Sequence, residues 1–217
     1  MHPVSHPKEN PAMKAMNVTT AMTLGVVLLG ALASSTTVMA AGHARVRGAH
    51  TNAAGGVSGG AAAVSSGPNG GASARGRAYT TDGQGNAAAG SAAAVYGPNG
   101  GTASRSGSTM YYADGSATHQ SSAQGYSAAG GSFASSGSSQ QNADGTRSGS
   151  RTTTASGAAG GTYNGSTVGA TGQGITHNSN ATGANGYTYQ GSTTATQDGV
   201  THTGTCHDPY GNEIACR

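Results

Sequence analysis

Tryptophan is absent from the chain, phenylalanine occurs once, cysteine occurs twice, and charged residues make up 8% of the 217 positions. Leucine and lysine are scarcer still where it matters, because all four leucines and both lysines lie within the first forty residues. From Ala41 onward the large aliphatic side chains are Val46, Val57, Val64, Val95, Val168, Val200, Ile175 and Ile214, joined by nine tyrosines and Phe133. Burying one such side chain fully is worth about 1.5–3 kcal/mol, whereas ordering the backbone costs about 1–2 kcal/mol per residue. An ordinary globular core is excluded, and with it the compact scaffold of an enzyme. Gly56-Val57-Ser58-Gly59-Gly60 spells the G-x-S-x-G pattern of serine hydrolases, but a nucleophile elbow needs a strand before it, a helix after it, and acid and histidine partners. No such context surrounds it, and no cofactor or small-molecule substrate is called for.

What the first forty residues do contain is an export signal. Lys14 opens a short charged region, residues 21–33 form an apolar run, and Val38-Met39-Ala40 places small or modest residues where a signal peptidase cuts. This three-part pattern is that of a secretory signal, and the run is shorter than the ~20 residues that span a bilayer. The expected organisation is a leader and signal over 1–40, an Ala/Gly/Ser-rich arm, linker or degenerate repeat over 41–66, a repeat region over 67–205, and a C-terminal cap over 206–217. The membrane is then met only during export.

Internal repetition carries most of the remaining information. Gly67-Pro68-Asn69-Gly70-Gly71 recurs thirty residues later as Gly97-Pro98-Asn99-Gly100-Gly101, and Gly183-Ala184-Asn185-Gly186 follows further on. Between these sit Asp82-Gly83, Asp114-Gly115, Asp144-Gly145 and Asp198-Gly199, with Gln173-Gly174 in an equivalent place. Asn-Gly and Asp-Gly favour two-residue hairpin turns, in which both central residues take positive φ. The intervening stretches are rich in threonine, serine, tyrosine and alanine, so strands of about ten residues are expected. The fold class is all-β: a hairpin meander or a β-solenoid, with a turn about every fifteen residues and no conventional hydrophobic core. Small side chains are expected on both faces, which would let a second sheet pack closely.

Cys206 and Cys216 form an even pair in an exported chain, so a disulfide closing the last turn is expected. His202 and His207, near Asp208, match no zinc spacing, and one acid per thirty residues falls short of the six to eight oxygens calcium takes. No metal site is expected. The arginines are not clustered in the sequence as in strong nucleic-acid binders, so nucleic acid is an unlikely partner. Threonine pairs such as Thr152/Thr154 do not recur in every repeat, as a regular ice-binding ladder would.

Over residues 67–205 the phased turns and small-residue strands resemble, in style, the secreted bacterial fibre and matrix proteins, of which the curlins are a hairpin-repeat example. The resemblance implies an extracellular structural protein whose copies assemble with one another into a filament or biofilm matrix. A monomeric ice- or glycan-binding solenoid and a disordered surface coat are the alternatives.

Overall fold

The computed structural model describes residues 41–216; the expected signal over 1–40 lies outside the described residues. The chain forms thirteen strands: β1 (Gly42–Thr51), β2 (Val57–Ser66), β3 (Ala72–Thr81), β4 (Ala87–Tyr96), β5 (Thr102–Tyr111), β6 (Ala117–Tyr126), β7 (Ser132–Gln141), β8 (Arg147–Ser156), β9 (Thr162–Ala170), β10 (Gly174–Thr182), β11 (Thr188–Thr196), β12 (Gly199–His207) and the short β13 (Glu213–Ile214). Each pairs antiparallel with its neighbours in sequence, so the spatial order is the chain order in one open sheet. Of the two architectures, the meander is the one adopted.

The sheet has a single layer. Among the described residues one hydrophobic side chain, Ala74, is buried, whereas Val46 is 67% exposed and Val200 is 71% exposed. Order therefore rests on the backbone ladders and on what lies directly above them. Hydroxyls pair across strands, as in Ser106 with Ser122 at 2.9 Å and Ser132 with Ser156 at 2.7 Å. Aromatic rings also cover glycines. A Cβ on Gly59 would meet the Tyr79 ring at 2.8 Å, and one on Gly125 would meet Phe133 at 2.4 Å. Both glycines are the direct cross-strand partners of those rings. The strand glycines thus seat rings that would otherwise stand in water, a device known to compensate for glycine in sheets.

Residues 41–66 are neither arm nor linker. They supply β1 and β2, paired in full register from Gly42 with Ser66 to Thr51 with Val57. Their turn, Asn52-Ala53-Ala54-Gly55-Gly56, is built like those that follow, although its Ala-Ala centre lacks the Asn-Gly or Asp-Gly that marks a turn in sequence. Asn52 anchors it, donating to Ser58 Oγ at 3.0 Å and to the Thr81 carbonyl at 2.7 Å.

Candidate functional site

Most connections are five-residue loops of one design. The first residue's N–H donates to the carbonyl of the fifth, and the fourth residue's N–H donates to the carbonyl of the first: Tyr112 to Ser116 at 3.0 Å, and Gly115 to Tyr112 at 2.9 Å. The fourth residue is a left-handed glycine, at Gly55, Gly70, Gly85, Gly100, Gly115, Gly130, Gly145 and Gly160, fifteen apart without exception, then at Gly186 and Gly211. No described non-glycine residue has positive φ. The expected two-residue turns with paired positive φ are therefore not formed. This is the longer hairpin loop, a β-turn followed by a left-handed glycine. Pro68 and Pro98 stand at the second loop position, which proline's fixed φ suits.

Within this design Asn69-Gly70, Asn99-Gly100, Asp114-Gly115, Asp144-Gly145 and Asn185-Gly186 occupy the third and fourth positions. Asp82-Gly83 and Asp198-Gly199 do not. Asp82 is the first residue of its loop, with its N–H donating to Asn86 O at 3.2 Å, and Gly85 fills the glycine position. Asp198 lies in a two-residue loop, Gln197-Asp198, because Thr196 pairs directly with Gly199.

Two carboxylate placements hold these loops. As third residue, Asp114 accepts from Ser116 N–H at 2.8 Å and Asp144 from Thr146 N–H at 2.9 Å. As first residue, Asp82 accepts from the N–H groups of Gln84 and Asn86, and Asp208 from those of Tyr210 and Asn212. Asn86, Ser116, Thr146 and Asn212 side chains respectively, followed by backbone donors, hold the four carboxyls below their ordinary value of 3.8. A depressed carboxyl contributes stability that is complete above its unfolded pKa and is lost as pH falls through the folded one. The thermal midpoint should accordingly be flat between about pH 5 and 8 and drop below about pH 4. Combining Asp82→Asn, Asp114→Asn, Asp144→Asn and Asp208→Asn should flatten that acid limb; an unchanged limb in the quadruple variant would contradict the assignment.

Cys206 and Cys216 form the expected disulfide, with Cα atoms 5.4 Å apart, and it closes the loop 208–212. His202 and His207 are not brought together. They lie on opposite faces of β12, as an odd sequence separation dictates. His202 is engaged by Thr193 Oγ1 at 2.8 Å and Tyr189 OH at 3.2 Å. The same Thr–His pairing recurs at Thr109/His119 and Thr167/His177. These three pairs were not evident before the register was known.

Register also separates the two faces chemically, contrary to the expectation of small side chains on both. Arg45, Ala63, Arg75, Ala93, Arg105 and Ala123 are successive cross-strand partners. A second row on the same face runs from Arg47 through Ala61, Arg77 and Ser91 to Gly107, and onward to Arg151. Arg147 lies four residues before Arg151 in β8 and shares that face. Every arginine of the strands therefore points to one side. Over β1–β12 the opposite face carries no charged Asp, Glu, Lys or Arg and is mostly Ala, Gly, Ser, Thr, Asn and Gln. Of the carboxylates, Asp82, Asp114, Asp144 and Asp198 all sit in loops at one end of the sheet.

Among the described residues, both lateral edges are open. Every residue of β1 is exposed. At the far edge β13 covers only Cys206 and His207, leaving residues 199–205 of β12 with one side unpaired. No protein family, curated protein or solved structure matches the chain.

Proposed function

We propose that the protein is an extracellular structural subunit whose copies join into a filament or surface matrix. The observation that carries this reading is a one-layer sheet in which, among the described residues, almost nothing is buried and both edges lack a full-length partner strand. An exposed, regular edge is a template for pairing with another chain, and natural edges are usually blunted by prolines, bulges or inward-pointing charges. β1 has no proline. Eleven antiparallel steps separate β1 from β12, so the two run in opposite directions. β1 of one copy laid against β12 of the next would continue the same alternation. Such a head-to-tail contact is heterologous, and when its rotation does not close a ring it propagates as an open fibre. Secretion and a scaffold role belong to the same proposal, supported by the leader pattern and by the resemblance in repeat style.

Proline scanning of β1 over residues 44–48 tests this. In an antiparallel strand alternate residues point their N–H groups to opposite sides. At every second position a proline removes only an outward N–H. Those variants should keep the β-sheet circular dichroism signal and lose filaments in electron micrographs. The alternate positions should damage the monomer itself. Filament yield indifferent to proline at all five positions would refute edge pairing.

A further inference from the structure

We propose that the arginine face of β1–β3 is a binding groove for a linear carboxylated polysaccharide, a function separate from self-assembly. Arg45 and Arg47 stand on β1, Arg75 and Arg77 on β3, and between them β2 presents Ala63 and Ala61, their direct cross-strand partners. Two strand spacings set the arginine walls about 9–10 Å apart, and residues i and i+2 put successive arginines about 6.7 Å apart along each wall. Small side chains on β2 leave the floor low. A recess of about 230 Å³ is lined by Arg45, Arg75, Ala63, Ser65 and Ser73 among others. A second, of about 890 Å³, is lined by Arg47, Arg77, Ala61, Ser91 and Tyr79 among others. Arg105 continues the upper row one groove further on, across Ala93.

These guanidinium groups have no internal use. Among the described residues none of Arg45, Arg47, Arg75, Arg77 and Arg105 makes a side-chain hydrogen bond or ion pair, whereas Arg151 donates to Ser135 and Ser121 and Arg147 to Gln141. Among the described residues, no carboxylate shares their face. Asp82, in the acidic loop nearest in sequence, is five residues beyond Arg77, about 16 Å along the strand and past the screening length of about 8–10 Å. Four unpaired charges facing one another across an alanine floor repel, and an anionic chain lying along β2 relieves that repulsion. Arginine's planar fork matches carboxylates in pairs of parallel hydrogen bonds.

The low floor and the scarcity of projecting rings select the kind of polyanion. Single-stranded nucleic acid needs projecting rings on which its bases stack. Of the rings at these recesses, Tyr79 lies over Gly59 and His119 is held by Thr109 Oγ1 at 2.8 Å, which leaves the imidazole of His43. A chain of sugar rings needs no stacking platform, only an open, shallow trough with charge on both walls.

Polygalacturonate titrated into the purified protein at low salt is the direct probe. Binding should weaken about tenfold or more between about 50 and 200 mM salt, as ions are released from several contacts. Arg45→Gln/Arg75→Gln should weaken it by about tenfold or more, and Arg151→Gln, whose arginine is held by serines, should leave it within about twofold. Ala61→Glu places a carboxylate between Arg47 and Arg77. It should abolish binding while leaving the thermal midpoint unchanged or raised, which separates groove occupancy from misfolding. Filament yield indifferent to proline throughout β1, in variants that still bind polygalacturonate, would sink only the assembly reading. Absence of polygalacturonate binding at low salt, equal binding by Arg45→Gln/Arg75→Gln, or tighter binding of a single-stranded oligonucleotide would overturn this assignment.

Discussion

Gly174→Ala is expected to destabilise the sheet more than Gly172→Ala, although Gly172, in the β9–β10 turn, and Gly174, the first residue of β10, have nearly the same backbone angle. Gly172 has φ +78° and Gly174 φ +79°. A left-handed residue with a Cβ costs about 1–2 kcal/mol, and that penalty applies to both. Their surroundings differ. A Cβ at Gly172 meets nothing within 4 Å, whereas one at Gly174 would come within 2.1 Å of the Ala195 carbonyl oxygen. That oxygen belongs to the backbone of β11 and cannot swing aside as a long side chain would. Relief requires β10 and β11 to separate where Ile175 pairs with Ala195. The Gly174 variant should lose about 3 kcal/mol or more, in the range of the most damaging single substitutions. Urea unfolding would measure both. Equal midpoints for the two variants would mean that the packing of this hairpin is not as described.

The double substitution Gly115→Val/Gly145→Val isolates the conformational term. Neither site has an atom within 4 Å of the added Cβ, and both have left-handed φ, +85° and +83°. The expected loss is therefore about 1–2 kcal/mol per site from backbone strain alone. A single-layer sheet has little apolar burial with which to absorb it. Gly→Asn at the same positions should cost less, because asparagine tolerates the left-handed region, and Ser138→Ala in β7 should stay within about 0.5 kcal/mol. Strain at these loops also threatens register. A slip of one residue would move a strand's whole arginine set to the other face. Assembly should fall with stability in the valine pair and be unaffected in Ser138→Ala; a valine pair as stable as the parent would remove the loops from the account.

The sequence shows much of this design and hides some of it for definable reasons. The all-β class and the strand length are visible because turn residues recur in phase. The loop type is not, if attention stays on the Asn-Gly and Asp-Gly pairs. The fixed element is the fourth-position glycine, while the residue before it varies from Asn69 to Asp114 to Ala129 to Gln84. Following the acid points to Asp82-Gly83, two residues early, and passes over Ala53-Ala54-Gly55, which leaves 41–66 open between an arm, a linker and the degenerate repeat that β1 and β2 form. The prolines at 68 and 98 were the available cue, since proline suits the second position of such a loop. The arginine row was legible too. Arg45, Arg75 and Arg105 are thirty residues apart, one full two-strand period, which must return each to the same height and face. The glycine-seated rings are different. Gly59 and Tyr79 are twenty residues apart, and only the register of β2 on β3 brings them together.

Diffraction from oriented material is the most direct measurement of the central claim, that this open sheet grows by adding whole copies at its edges. If β1 of each copy pairs with β12 of the next, strands lie across the fibre, and a reflection at about 4.7–4.8 Å should appear along its axis. Sedimentation of the same preparation should show species growing with concentration. A protein that sediments as a monomer at every concentration, or fibres whose 4.7–4.8 Å spacing lies perpendicular to the axis, would contradict it.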